Sequence, residues 1–264
     1  MPGDISHKRA RPSRPQSLCH NNDADIGGVE GTFYLKNVDT SKGPLGEAAF
    51  LDHASNITLG FTDGEVDLTS GGDEEDGQTY TLQSRYVAEG PGWQLSGWLV
   101  DLGFERQEPG DQEVDLYNLG IGKYITPNTT LVLGYEKVNV NNGGDVDRWG
   151  VAVDHFFALS SGGIKARANG GKTVVSGLDD PTTWGLGATW YPNNNWGIGA
   201  DYTLEDFSGY EVDGYSVNVE WFITENFAVD LAYKDIQPDD IKLQGGGKLE
   251  TSYDEVAISA LYRF

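Results

Sequence analysis

Charged residues in this sequence recur inside short segments in which apolar and polar side chains alternate. In the segment 195–207, for example, Ile198 and Ala200 alternate with Gly199 and Asp201. Successive side chains of a β-strand point to opposite faces, so each segment would carry its charges on one face only. Twelve charged residues fall on polar faces by this rule: Arg85, Glu136, Arg148, Asp154, Lys165, Arg167, Asp201, Glu205, Glu220, Asp230, Lys234 and Glu255. Charges of both signs around a water-filled passage can orient polar solutes and filter ions.

Nothing in the sequence indicates an enzyme. The four histidines, His7, His20, His53 and His155, have no metal-ligand spacing, and Cys19 is the single cysteine. No serine stands in a Gly-x-Ser-x-Gly motif. Among 41 acidic residues, some pair of carboxylates will suit glycoside hydrolysis by chance, so such a pair indicates nothing. We expect no catalytic residue, no metal site and no cofactor.

Composition favours an all-β chain. The 264 residues include 36 Gly, 13 Tyr, 10 Phe and 7 Trp, and glycine with aromatic residues is typical of strands and turns. No apolar run approaches the roughly 20 residues that a membrane-spanning helix needs. A transmembrane barrel needs no such run, because only alternate residues meet lipid. The net charge of −23 argues against a nucleic-acid partner.

Thirteen alternating segments are separated by breaks rich in Gly, Pro, Asn, Asp or Ser. The segments are 29–39, 54–63, 78–89, 92–105, 113–124, 128–141, 145–158, 161–175, 182–191, 195–207, 211–223, 226–237 and 249–264. The breaks alternate between short turns, such as 126–128, and longer acidic ones, such as 63–76. Short turns at one rim and long loops at the other predict an outer-membrane barrel. Trp93 and Trp98 have opposite parity, which predicts a bulge near Gly97.

Aromatic residues mark both ends of the apolar faces. In the segment 182–191, Trp184 and Trp190 flank Leu186 and Ala188. Amphipathic rings favour the headgroup level of a membrane, so two aromatic girdles are expected on a barrel. A soluble β-sandwich would show the same alternation with its apolar face as core, and the girdle placement favours lipid instead.

The C-terminal segment points to the same class of protein. Ile258, Tyr262 and Phe264 share one strand face, and this ending resembles the terminal signature of Gram-negative outer-membrane β-barrels. In those proteins the last strand closes the barrel and is read by the assembly machinery. The resemblance implies that these three residues form an assembly signature. It also implies outer-membrane lipid, lipopolysaccharide and the barrel-assembly machinery as partners.

A stretch near the N-terminus is more specific. Residues 43–51 read Gly-Pro-Leu-Gly-Glu-Ala-Ala-Phe-Leu. This stretch resembles one that follows the second strand in the general bacterial porin family of Gram-negative bacteria, and the likeness covers about residues 29–264. It implies an outer-membrane channel for passive diffusion of small hydrophilic solutes. From the residues themselves we predict a periplasmic turn whose short helix packs Phe50 and Leu51 under the barrel.

Within such a barrel the order of the twelve charges matters. Arg85, Arg148, Lys165 and Arg167 precede residue 170, whereas five acidic residues follow residue 200. A closed wall would set the two groups on different arcs, as in a charged constriction. The alternative is that they form salt bridges or are solvated, without a filtering role.

We therefore predict an antiparallel, up-and-down transmembrane β-barrel over residues 26–264, located in the bacterial outer membrane. Barrels of one bacterial chain close with an even strand count, so we expect about 14 strands in the complete form, about 13 of them here. The segment 29–39 would then lack a neighbour. Residues 1–25 are expected to be a disordered or non-native segment, with no signal peptide. Alternative functions are a non-conducting structural or adhesion barrel and a soluble carbohydrate-binding β-sandwich.

Overall fold

The computed structural model of this protein describes residues 18–68, 73–90, 96–109, 112–141, 144–175, 180–207, 211–238, 241–242 and 248–263. Thirteen long strands form its wall, and a fourteenth is a two-residue pairing. The strands are β1 (Leu18–Tyr34), β2 (Asn56–Leu68), β3 (Asp73–Val87), β4 (Trp98–Pro109), β5 (Val114–Thr126), β6 (Thr129–Val140), β7 (Asp145–Ala158), β8 (Gly163–Val175), β9 (Thr182–Tyr191), β10 (Trp196–Asp206), β11 (Glu211–Phe222), β12 (Phe227–Pro238), β13 (Ile241–Lys242) and β14 (Lys248–Arg263).

The long strands form a closed ring. Each pairs antiparallel with the next along the chain, and β14 pairs with β12 on one side and with β1 on the other. The short β13 only adds two pairs to β14. Because no long strand keeps a free edge, the barrel satisfies its backbone hydrogen bonds internally, as a wall in lipid must. The predicted all-β barrel and the thirteen segments are confirmed.

The closure corrects one expectation. The segment that begins at residue 29 does not lack a neighbour, because β1 starts at Leu18 and lies between β2 and β14. The β1–β14 pair is parallel, with a register from Leu18–Leu249 to Thr32–Arg263. An odd number of strands can close when one neighbouring pair runs parallel, since a parallel ladder also satisfies the backbone. Residues 18–25, which the expected N-terminal segment 1–25 includes, therefore belong to the first strand, and residues 1–17 of that segment lie outside the described residues.

The acidic stretch 63–76 is a second correction. Instead of a loop, the structure extends β2 to Leu68 and starts β3 at Asp73, with Glu65 opposite Asp76. Backbone pairing between the two strands continues beyond the apolar band, so only residues 69–72 remain between them.

A third correction concerns the bulge expected near Gly97, where the structure has a turn before β4 instead. Gly97 has a positive φ of 78° and ends a turn, and β4 begins at the next residue.

The apolar side chains of the wall face outward. Leu133, Leu186 and Trp184 are more than 60% exposed, and they belong to a large set of exposed apolar residues spread over the strands. A soluble protein rarely exposes so much contiguous apolar surface. Two bands of aromatic residues frame this surface. One contains Tyr80, Tyr117, Trp149, Trp184 and Tyr215, and the other contains Tyr86, Trp98, Phe157, Trp190, Trp196, Trp221 and Tyr262.

Among the residues that the structure describes, helical structure forms in the connection between β1 and β2. Two 3₁₀ turns, Thr40–Lys42 and Leu45–Glu47, precede the short helix α1 (Ala48–Leu51). In the part of the chain that the structure describes, neither this helix nor any other is long and apolar enough to cross a membrane. We call residues 44–52 the strap, because they extend across the inside of the barrel.

Candidate functional site

The inner wall is where the sequence-predicted charges lie. On β7, Trp149 and Val151 are exposed on the outer face, and Arg148 and Asp154 occupy the alternate positions of the opposite face. The strand registers place all twelve predicted residues on the face opposite to the exposed apolar side chains. This is the face that the strap contacts, so it is the interior.

Three of the basic residues form ion pairs with carboxylates of nearby strands. Arg85 donates two hydrogen bonds to Asp101, at 2.7 and 2.8 Å, and Arg148 donates one to Glu136 at 2.8 Å. The partners in each pair lie directly opposite one another on adjacent strands. Each of these two arginines therefore has a carboxylate beside it, as in the alternative in which the charges form salt bridges. The role of the two groups of charges in a constriction stays a prediction.

Arg167 and Asp201 form a third pair, which spans an intervening strand. The guanidinium of Arg167 on β8 donates to Asp201 on β10 at 2.8 Å. Gly187 of β9 lies between them, and a Cβ atom there would clash with the Asp201 carboxylate. Glycine at this position therefore leaves the space in which the two side chains meet.

The remaining predicted residues concentrate acidic groups on one part of the wall. Asp154 accepts a hydrogen bond from Thr130, and Asp230 accepts one from Asn218 at 3.0 Å. Glu220 faces Asp230 across the β11–β12 register, and Lys234 faces Glu255 across β12–β14. Glu205 lies on β10. Five of the seven predicted acidic residues thus lie on β10 to β14.

A cavity lies inside the barrel above the strap. Its volume is about 450 Å³. Its lining comes from one arc of the wall, with residues of β8, β9, β11, β12, β14 and β1–β3, and from Gly46 of the strap. Glu30, Arg167, Asn218, Glu220 and Asp230 supply its polar surface. An interior space with such a lining suits water and small hydrophilic solutes.

The strap is joined to the wall by a buried ion pair. The Nζ atom of Lys165 lies 2.8 Å from Glu47 Oε2, and the Tyr191 hydroxyl donates to Glu47 Oε1 at 2.9 Å. The side chains of Glu47 and Lys165 are 9% and 8% exposed. Lys165 Nζ also lies 3.3 Å from the centre of the Phe50 ring, which adds a cation–π contact.

Apolar packing holds the strap at two further points. Phe50 lies in a cluster with side chains of five strands, Val87, Leu99, Tyr124, Phe156 and Tyr191, and Leu51 packs against the same cluster. Leu45 packs with Phe222, Ala228 and Leu261. The predicted short helix and its packing through Phe50 and Leu51 are confirmed. The strap contacts strands from β3 to β14, so it lies within the ring at one end.

Backbone contacts of the strap reach both sides of the ring. The N–H of Leu45 donates to the Asn194 carbonyl at 2.8 Å, and the Arg263 guanidinium donates to the Leu45 carbonyl at 2.7 Å. At the other end, the Tyr124 hydroxyl donates to the Phe50 carbonyl at 3.0 Å. Its path across the interior is therefore fixed at each end.

Charged residues outside the membrane-spanning strands fasten the end of the strap. Asp52 is buried and forms ion pairs with Lys36 and Lys42. Burial alone would raise the pKa of Asp52, but the hydrogen bonds from Lys42 and from the Asp39 N–H outweigh it and lower the pKa. Lys36 also contacts Glu89 at 2.7 Å, and this hydrogen bond raises the pKa of Lys36.

Five inner-face or strap residues were missed as site residues: Glu30, Glu47, Asp101, Tyr191 and Arg263. Asp101 and Arg263 lie on alternating segments, and their parity alone could have placed them on the polar face. Glu47 and Tyr191 could not be paired from the sequence, since they are 144 positions apart. Lys165, predicted as a pore-lining candidate, forms its ion pair with Glu47 of the strap.

The structure also places the residues of the predicted C-terminal signature. Ile258 and Tyr262 lie on the outer face, 56% and 46% exposed, whereas Phe264 lies outside the described residues. Their role in assembly stays a prediction. Within the described ranges, no group of three or more His, Cys, Asp or Glu side chains is arranged to hold a metal ion.

The closed ring, the outward apolar face and the polar interior define an outer-membrane barrel of the porin type. Residues 15–167 match the family described as "putative general bacterial porin". This match covers more than half of the chain, and the protein belongs to that family. Its location is the bacterial outer membrane.

The fold is similar to that of a solved outer-membrane protein. The outer membrane protein Omp33 of Acinetobacter baumannii has a TM-score of 0.52 and 21% sequence identity, over 78% of this chain and 81% of that one. OmpT of Vibrio cholerae, in a trimer form, has a TM-score of 0.38 and 11% identity, over 88% of this chain and 95% of that one. No curated protein matches the sequence.

Proposed function

We propose that this barrel is a diffusion channel for small hydrophilic solutes and ions. The cavity of about 450 Å³ inside the ring, with its charged and amide lining, carries this proposal. Porin channels select by pore width and by the charges along the wall. Among the charged residues of the lining, the acidic Glu30, Glu220 and Asp230 outnumber the basic Arg167, so we expect cations to pass more readily than anions.

The partners of the protein follow from this role. The outward apolar face and the two aromatic bands suit outer-membrane lipid, with lipopolysaccharide around the acidic rim. The terminal strand supports recognition by the barrel-assembly machinery through Ile258 and Tyr262. We propose no enzymatic activity, because transport through an open passage needs no chemical step.

A second candidate is a barrel that does not conduct and serves as a structural or adhesion protein. The dense packing of the strap around Phe50 favours this alternative, because it fills part of one end of the ring. Recording single-channel currents from the refolded protein in planar lipid bilayers decides between the two. The diffusion channel predicts discrete current steps with cation selectivity. A folded, membrane-inserted protein that gives no steps would overturn it.

A further inference from the structure

A second cavity lies on the inner wall, on the arc of β4 to β10. Its volume is about 410 Å³, which is within the range of sites that bind small molecules. Inward-facing polar residues line it, among them Asn118, Glu136, Arg148 and Asn169. Among the residues that the structure describes, none lines both this cavity and the one above the strap. We call the second cavity the trough.

Four glycines on adjacent strands form the floor of the trough. Gly120, Gly134, Gly150 and Gly171 lie directly opposite one another in the registers of β5 to β8. They occupy inward positions, because the residues beside them, such as Trp149, are exposed on the outer face. With strands about 4.8 Å apart, the row of glycines is about 14 Å long. The floor of the trough is therefore bare main chain.

The packing of the wall requires glycine at only part of this row. A Cβ atom at Gly171 would lie 2.8 Å from the carbonyl oxygen of Trp149, so the close approach of β7 and β8 needs glycine there. At Gly134 the nearest atom to such a Cβ would be the Gly150 carbonyl oxygen, at 4.0 Å, which is ordinary contact. A larger side chain at position 134 would thus fit the wall, and it would fill the trough.

The charges around the trough are mostly paired, and this determines the kind of ligand that suits it. Arg148 and Glu136 share a hydrogen bond of 2.8 Å, and Asp101 accepts two from Arg85. Glu205 adds one more carboxylate. A paired charge attracts an ion less than a free one does, because its partner cancels much of its field. A guanidinium still has five N–H donors and a carboxylate about four acceptor sites, so both can bind hydroxyl groups.

The other lining residues complete a surface for a ring that carries hydroxyl groups. The amides of Asn118 and Asn169 both donate and accept, as a hydroxyl does. Val132 and Ala152 add a small apolar area, which suits the C–H face of a sugar ring. We infer that the trough binds a neutral saccharide of one or two rings. This inference rests on the proposed channel, since a solute must enter the interior to reach the trough, and it names the class of solute.

The first experiment measures the binding of glucose and maltose. Calorimetry is performed on the folded full chain in a detergent without sugar groups, and single-channel currents are recorded with the same sugars in planar bilayers. We expect saturable binding and a reduction of the current over the same range of concentration.

The two readouts separate the inference from the proposed function. If the protein conducts and neither sugar binds or reduces the current, the inference fails and the channel function stands. If a sugar binds to folded protein that gives no current, the trough is a saccharide site and the channel function is overturned. If the folded protein neither conducts nor binds sugar, both proposals fail.

The second experiment places the site in the trough. Gly134→Leu should weaken maltose binding by about tenfold or more, because the side chain occupies the space of the ligand. Glu136→Leu combined with Arg148→Leu removes both members of the ion pair, so no unpaired charge remains. This double change should also weaken binding by about tenfold, through the loss of hydrogen bonds to charged groups. Unchanged affinity in both proteins would overturn the inference.

The matched control is Gly60→Leu, the same substitution at an inward position of β2 that lines the other cavity. A Cβ atom at Gly60 would lie 3.5 Å from Thr81 Cβ, so this position also accepts a side chain. Folding of each variant is verified by heat-dependent gel migration, and Gly60→Leu should leave maltose affinity unchanged. An equal loss of affinity in the Gly60→Leu and Gly134→Leu proteins would place the sugar outside the trough.

A charged sugar tests the preference for neutral ligands. Glucosamine has the ring of glucose and carries a positive charge, and it should bind no more tightly than glucose because the charges of the trough are mostly paired. Glucosamine binding more than about tenfold tighter than glucose would make the trough a cation site and would contradict the inference.

Discussion

Val29 of β1 and Ala260 of β14 are neighbours in a parallel pair that closes the barrel. Val29 also faces Phe61 of β2 across an antiparallel pair, so one strand joins ladders of both kinds. A parallel ladder is slightly less stable per residue than an antiparallel one. We call the β1–β14 pair the seam, because it closes the ring of thirteen strands.

The seam can be tested with a disulfide. Strands in a sheet lie about 4.8 Å apart, within the range of Cα distances that a disulfide tolerates. We expect Val29→Cys and Ala260→Cys to cross-link on oxidation in a Cys19→Ser background, with a shifted mobility of the unfolded protein on a gel. The control pairs Val29→Cys with Val256→Cys, which lies opposite Asp25 rather than Val29. Cross-linking of the control alone would contradict the register.

The ion pair between Arg167 and Asp201 should influence ion selectivity. Arg167→Gln leaves the carboxylate of Asp201 without its cation on the inner wall, so the reversal potential in a salt gradient should shift toward cation selectivity. Asp201→Asn should shift it in the opposite direction. Arg106→Gln is the control, because Arg106 forms its ion pair with Asp115 on the outer face. A shift of the same size in the control would show that the inner wall does not filter ions.

Strand number and strand faces could be predicted because side-chain alternation is a local property. Each alternating segment became a strand, and parity placed residues such as Asp154 and Glu220 on the correct face. The C-terminal limit of β2 could not be predicted in this way. Asp63, Glu65 and Asp67 resemble loop residues, and their place in a strand depends on pairing with β3.

Contacts between distant residues explain most of what the sequence did not reveal. The neighbours of Arg85 and Arg148 were predictable only once adjacent strands were in register. The pairing of Lys165 with Glu47 depends on a connection that folds into the ring. The closure through β1 was missed because residues 18–25 lack clear apolar alternation, and the rule of even strand number supplied the wrong expectation.

The stacked pair Trp196 and Trp221 should contribute to barrel stability. The rings lie 5.3 Å apart with an angle of 10°, on directly opposed residues of β10 and β11. A double-mutant cycle to Ala, measured by reversible urea unfolding in lipid vesicles, should give a coupling of about 0.5–1.5 kcal/mol. Additive effects of the two single changes would show that the rings act separately, through lipid contact alone.

The ion pairs of Asp52 that fasten the strap should weaken at acid pH. The lowered pKa of Asp52 means that this carboxylate binds a proton less readily in the folded protein than in the unfolded chain. The resulting stabilisation is present above the ordinary pKa of about 3.9, and it is lost as pH falls through the lower, folded value. We therefore expect Asp52→Asn to lower the melting temperature at pH 7 and to have a smaller effect at pH 2.5. Thermal unfolding followed by circular dichroism measures both values.

The control for Asp52 is Glu89→Gln. Glu89 is an exposed partner of Lys36, which also pairs with Asp52, so this change should alter the melting temperature little at either pH. A difference between wild type and Asp52→Asn that is equal at the two pH values would show that the carboxylate of Asp52 does not fasten the strap.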